Sequence, residues 1–111
     1  MKKADNLEKE RRRFPRVMGP VFFRAPRISA KRRSVLNLSL GGVRIYCDER
    51  VDIGQSFELE FFLPNGTTVE AMARVVWVKK LPAESEALYD VGLEFMDLSE
   101  NVVEELRTVL K

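Results

Sequence analysis

Histidine is absent from this 111-residue chain, and cysteine occurs once, at Cys47. Without histidine there is no imidazole general base, no Ser-His-Asp triad and no histidine metal ligand. A lone cysteine closes no internal disulfide and anchors no structural zinc, and it suits a reducing cytoplasm. No apolar run nears the roughly 20 residues of a membrane span, so membrane insertion is not expected. Residues 1–16 lack the apolar stretch of a secretory signal. The acidic spacing of a calcium loop, D-x-D-x-D-G, does not occur, and the carboxylates fall into no acid/base pattern. These absences point to binding rather than catalysis: neither an enzyme nor a bound metal or cofactor is expected.

What is present reads as one soluble, globular domain. Apolar residues make up 45% of the chain and charged residues 32%, too apolar for a disordered chain. The formal charge of +2 conceals a split. Residues 1–33 hold 12 Lys and Arg against 3 Asp and Glu, a net of +9, while residues 34–111 hold 7 against 14, a net of −7. A basic segment of this kind is either a solvated tail or one that meets an anion, a ligand or the protein's own acidic surface. Arginine rather than lysine stands at positions 11, 12, 13 and 16. A planar guanidinium makes paired hydrogen bonds to phosphate oxygens or to guanine O6 and N7, which an ammonium does not.

Along the chain, residues 1–18 read as a mobile arginine-rich arm, with a short helix at Asn6–Arg12 that Pro15 stops from continuing. Residues 19–111 read as an all-β unit. Val21-Phe22-Phe23 and Val35-Leu36 are strand-like. Val43, Ile45 and Cys47 alternate with Arg44, Tyr46 and Asp48, the pattern of a half-buried strand. Phe57, Leu59, Phe61 and Leu63 alternate likewise. Pro64-Asn65-Gly66-Thr67 predicts a tight turn, with positive φ tolerated at both Asn65 and Gly66. The turn leads into a strand over Thr68–Lys80 whose Val69, Ala71, Ala73, Val75 and Trp77 share one face. A polar loop over Leu81–Ala87 precedes a last strand in which Tyr89, Val91, Leu93 and Phe95 alternate with Asp90, Gly92 and Glu94. A helix follows, capped by Asp97 or Ser99, with Val102, Val103, Leu106, Val109 and Leu110 on its apolar face. The expected fold is a six-stranded antiparallel β-barrel with a mobile N-terminal arm and a C-terminal α-helix across one end.

Two short motifs stand about 20 residues apart: Arg12 and Arg16 in R-x-x-x-R, and Asn37, Ser39 and Gly42 in N-x-S-x-x-G. In order and spacing, and with the strand pattern behind them, they resemble the signature of PilZ domains, bacterial receptors for the second messenger cyclic di-GMP. The resemblance runs from about Glu10 to Leu110 and covers all five signature positions. It implies that Arg12 and Arg16 meet phosphates and guanine edges and stack on guanine. Asn37 accepts from the guanine edge, and Ser39 donates or accepts at short range. Gly42 lets backbone approach the ligand. Arg11, just before the first arginine, resembles the versions that hold two stacked ligands, so two cyclic di-GMP molecules per chain are expected. Arg13 and Gly41 are further candidates.

Other readings stand beside these. Asn37 and Ser39 also suit a turn in which their side chains bond neighbouring backbone, and Gly41-Gly42 a hairpin or bulge. The ligand reading is preferred because a turn leaves the arginine arm unexplained. Trp77 is expected in the core, with a place beside the purine as the alternative. Lys31-Arg32-Arg33 is expected to be a solvated hairpin tip. A basic-armed barrel for single-stranded nucleic acid is disfavoured by the acidic barrel portion and by the lack of an aromatic row for stacking bases. A ligand-free interaction module of the same fold is disfavoured by the complete signature. The sequence leads to a cytoplasmic sensor: ligand draws the arm onto the barrel and alters a surface read by a protein partner that the sequence does not identify.

Overall fold

Apolar residues at every second position give each strand one dry face, and the sheet curls to close those faces on one another. The computed structural model of the protein describes residues 20–29 and 31–110. The arginine arm over residues 1–18 and the expected helix at 6–12 lie outside the described residues. Seven strands form one sheet: β1 (Phe22–Arg24), β2 (Arg33–Ser34), β3 (Asn37–Leu38), β4 (Gly42–Cys47), β5 (Ser56–Phe62), β6 (Thr68–Lys80) and β7 (Tyr89–Met96). Their order is β2-β1-β5-β6-β7-β4-β3, and every pairing is antiparallel. The two edge strands, β2 and β3, are separated by Val35 and Leu36 alone. Val35 N–H donates to Val21 O at 3.0 Å and Leu36 N–H to Arg44 O at 2.9 Å, so these two residues tie opposite edges together. The sheet is thus rolled like a barrel, and the expected six strands are recovered when 33–38 is taken as one bent strand.

The inward residues are those that alternation marks. Leu59 and Phe61 on β5 are fully buried, and Val75, Val91 and Leu93 pack beside them. Each such side chain contributes about 1.5–3 kcal/mol on leaving water. Phe61 meets Phe95 edge to face at 5.8 Å between centroids. Helix α1 (Glu100–Val109) lies against β6 and sends Leu106 and Val109 into the core. Of the two proposed caps the structure uses Ser99, whose Oγ accepts from Val102 N–H at 3.2 Å. Asp97 takes a positive φ of 50°.

Two local expectations change. In the β5–β6 turn only Gly66 has positive φ, at 89°. Gly66 N–H bonds Leu63 O, which makes Pro64 and Asn65 the central pair, and proline admits only negative φ. The second change concerns Trp77. β6 pairs Val75 with Leu93 and then Trp77 with Gly92, so Val76 is an extra residue in a bulge. Val69, Ala71, Ala73 and Val75 are buried as expected, but beyond the bulge the phase reverses. Val78 turns inward and Trp77 outward, 41% exposed. Trp77 is not a core residue.

Candidate ligand-binding site

The reversal at Trp77 completes a row on the outer face of the sheet. Asn37 pairs with Arg44, Arg44 with Gly92 and Gly92 with Trp77, across β3, β4, β7 and β6. The row borders an open concavity of about 220 Å³ lined by Asn37, Ser39, Gly42, Arg44, Val76 and Trp77 among others. The second motif and the tryptophan, 35 residues or more apart in sequence, share one surface.

Each residue has a local cause. Ser39 closes the β3–β4 turn: its Oγ accepts from Gly41 N–H at 3.1 Å and Gly42 N–H at 3.3 Å, and its own N–H donates to Gly42 O at 3.0 Å. The turn role weighed for Ser39 is therefore present, and it holds the hydroxyl beside the concavity. Gly42 is needed for a close approach. A β-carbon there would collide with Leu93 O on β7. Gly41 carries no such constraint, since the nearest atom to a β-carbon would be Ser39 Oγ at 3.8 Å. Asn37 differs from Ser39. It is exposed on the edge strand, and among the described residues its side chain has no hydrogen-bond partner.

Trp77 rests on Gly92, where a β-carbon would collide with Nε1 and Cε2 of the indole. Across Gly92 stands Arg44. Its Nε donates to Asp90 Oδ1 at 3.0 Å and its Nη2 to Oδ2 at 2.7 Å. The hydrogen bond to Asp90 and the nearby carboxylate charge raise the Arg44 pKa further. A flanking ion pair, Arg74–Glu94, adjoins Gly42 in register. Sequence reasoning passed over Arg44 and Gly92. The available signals were an outward arginine two places after Gly42 and a glycine inside a strand pattern.

Arg11, Arg12, Arg13 and Arg16 lie outside the described residues. The chain nevertheless enters the sheet beside the second motif, because Val21 O is bonded by Val35 N–H, two residues before Asn37. The Lys31-Arg32-Arg33 cluster is not a purely solvated tip. Arg32 lies 3.7 Å over the Phe62 ring, and Arg33 pairs with Asp48 at 3.0 Å. Cys47 is buried, burial pushes its thiol pKa up, and its S–H donates to Glu49 O at 3.0 Å. Among the described residues no group of three His, Cys, Asp or Glu is placed to hold a metal, and no helix is long and apolar enough to cross a membrane.

A family model for the PilZ domain matches residues 10–111. No curated protein sequence matches the chain. Among solved structures, the fold is similar to YcgR in complex with c-di-GMP from Escherichia coli, at a TM-score of 0.62 and 19% identity, over 86% of this chain and 42% of that one. The chain spans less than half the length of that protein, and at this identity the likeness is one of fold.

Proposed function

The chain belongs to the PilZ domain family, and on that footing we propose that it is a receptor for cyclic di-GMP, the molecule YcgR carries in its complex. The observation that supports this most is the convergence of Asn37, Ser39, Gly42 and Trp77 on one open concavity. Asn37 offers to a guanine edge an amide that has no partner among the described residues. Gly42 presents backbone without a side chain in the way. Trp77 offers a half-exposed indole as a stacking surface.

The phosphates are assigned to the arm. Arg16 stands four residues before Pro20, a reach of about 14 Å at full extension, and Arg12 twice that. Reaches of that size, from a chain that enters the sheet hydrogen-bonded to Val35 near Asn37, are compatible with contact at the concavity. Arg12 and Arg16 then take phosphate oxygens and guanine O6 and N7, and Arg11 and Arg13 extend the cationic surface. In the ligand-free protein these arginines repel one another. Two phosphates remove that repulsion and draw residues 1–18 onto the sheet, changing a surface that a downstream protein reads. The chain acts as a binding module in the cytoplasm.

Calorimetric titration with cyclic di-GMP tests the proposal, with GTP and a linear RNA as controls. Saturable binding of cyclic di-GMP alone is expected. Equal binding of linear RNA, or no binding of cyclic di-GMP, would overturn it.

A further inference from the structure

Asp90 occupies a position on β7 that alternation would leave in water, yet it is 4% exposed. Arg44 pairs with it through three contacts of 2.7–3.2 Å. A guanidinium has five N–H donors, and this grip engages only the Nε and Nη2 side of the fork. Among the described residues the Nη1 amino group has no partner, and Nη2 keeps a second hydrogen. Arg44 is therefore anchored on one edge and free on the other. Its side chain is 48% exposed and lines the concavity.

The neighbouring position in the row is Gly92, which has no side chain, and the next is Trp77. Nothing on β7 stands between the guanidinium and the indole. The indole itself lies over Gly92, and its exposed side borders the same concavity that Arg44 lines. Building on the receptor function proposed above, we infer that Arg44 determines base identity: its free Nη1/Nη2 edge donates to O6 and N7 of a guanine stacked on Trp77, and Asp90 is its positioning residue. Adenine presents an amino group where guanine presents O6, so the same donors disfavour cyclic di-AMP. An arginine without Asp90 spreads over many rotamers; clamped, it meets the base already oriented.

The test is a cycle between protein and ligand variants, measured by calorimetry on the full chain with cyclic di-GMP and its 7-deazaguanine analogue, which lacks the N7 acceptor. The unmodified protein should lose at least about tenfold in affinity for the analogue. In Arg44→Met combined with Asp90→Asn, which leaves no carboxylate buried without a cation, that penalty should shrink at least about fivefold through lost coupling. Arg44→Lys keeps a charge opposite Asp90 but has no fork, and should shrink the penalty too should the double variant fail to fold. Asp90→Asn alone should shrink it at least about threefold as the clamp weakens. A merely structural ion pair would alter the melting temperature and leave the N7 penalty intact.

An undiminished penalty in the Arg44 variants, with cyclic di-GMP still bound, would overturn the inference and spare the receptor function. Failure of the unmodified protein to bind cyclic di-GMP would overturn both.

Discussion

The indole of Trp77 occupies the space that a β-carbon on Gly92 would fill. The pairing depends on both partners: the bulge at Val76 turns Trp77 outward, and the glycine opposite gives the ring a backbone surface to lie on. Gly92→Ala should therefore push the ring off β7. A destabilisation of about 1–3 kcal/mol is expected from the overpacking, together with a shifted emission maximum, since Trp77 is the sole tryptophan. Chemical denaturation followed by fluorescence checks both, and an unshifted spectrum with full stability would show that the ring does not lie there.

Removing the ring itself should separate binding from folding. Trp77 is 41% exposed, so Trp77→Ala is expected to cost far less stability than the loss of a core aromatic. Its effect on cyclic di-GMP affinity should be about 1–3 kcal/mol, the worth of stacking a base on an aromatic ring. Titration calorimetry on the variant, with its melting temperature measured in parallel, checks the division. A large loss of stability with unchanged affinity would return Trp77 to a structural role.

How much of this was legible in the sequence follows from where the alternation rule applies. Phe57, Leu59 and Phe61 obey it, and their strand lies where the pattern put it. Trp77 breaks it because one inserted residue reverses the phase, and a bulge has no sequence signature in Val75-Val76-Trp77. Asp90 falls on the outward phase of the alternation over Tyr89–Phe95. It is outward yet buried, and its ion-pair partner is Arg44, 46 residues away, which no local pattern could supply. The second motif was legible because its glycine and serine serve a turn within six residues. Trp77 and Arg44 join that motif only through the tertiary fold.

Gly42 and Asn37, in the same motif, should respond in opposite ways to substitution. Any side chain at Gly42 meets Leu93 O, so Gly42→Leu is expected to separate β4 from β7 and to destabilise the protein by at least about 1–3 kcal/mol. The cause is this close approach, with no positive φ involved. Asn37 is exposed, and its side chain bonds nothing among the described residues. Asn37→Ala should leave stability within about 0.5 kcal/mol while weakening cyclic di-GMP binding. Thermal melts and titrations on the two variants check the contrast; an unfolded Asn37→Ala would assign that residue to the turn instead.

Acid should expose the ion pair between β1 and β5. Arg24 Nε donates to Glu60 Oε1 at 2.7 Å, and this hydrogen bond is the main cause of a Glu60 pKa lowered from 4.5. A carboxylate with a depressed folded pKa stabilises the native state above its unfolded pKa, and the contribution fades as pH falls through the folded value. The stability difference between the unmodified protein and Glu60→Gln should be full at neutral pH and shrink below pH 4.5. Denaturation curves at several pH values check this. A difference that persists unchanged at pH 2–3 would assign the effect to packing.

The arm is expected to contribute to binding and little to the core. Arg12→Ala and Arg16→Ala should each weaken cyclic di-GMP binding by at least about tenfold, since a charged hydrogen bond is worth about 1.5–3 kcal/mol. Their ligand-free melting temperatures should stay close to that of the unmodified protein. Unchanged affinity in both variants, measured on folded protein, would remove R-x-x-x-R from the site.

Stoichiometry depends on Arg11. Arg11, Arg12 and Arg13 are contiguous, and two stacked cyclic di-GMP molecules carry four phosphate charges between them. One ligand would leave some of these guanidiniums crowded and unpaired, whereas two give each a phosphate or a guanine O6/N7 edge. Two molecules per chain are therefore expected, intercalated, with Arg11 on the second. Arg11→Leu should lower the calorimetric ratio to one while the first ligand is retained. The open form of the concavity beside Trp77 is compatible with a base stack that continues outward from the indole. A ratio of one for the unmodified protein, at concentrations well above the Kd, would make Arg11 an ordinary member of the arm and confine recognition to a single ligand.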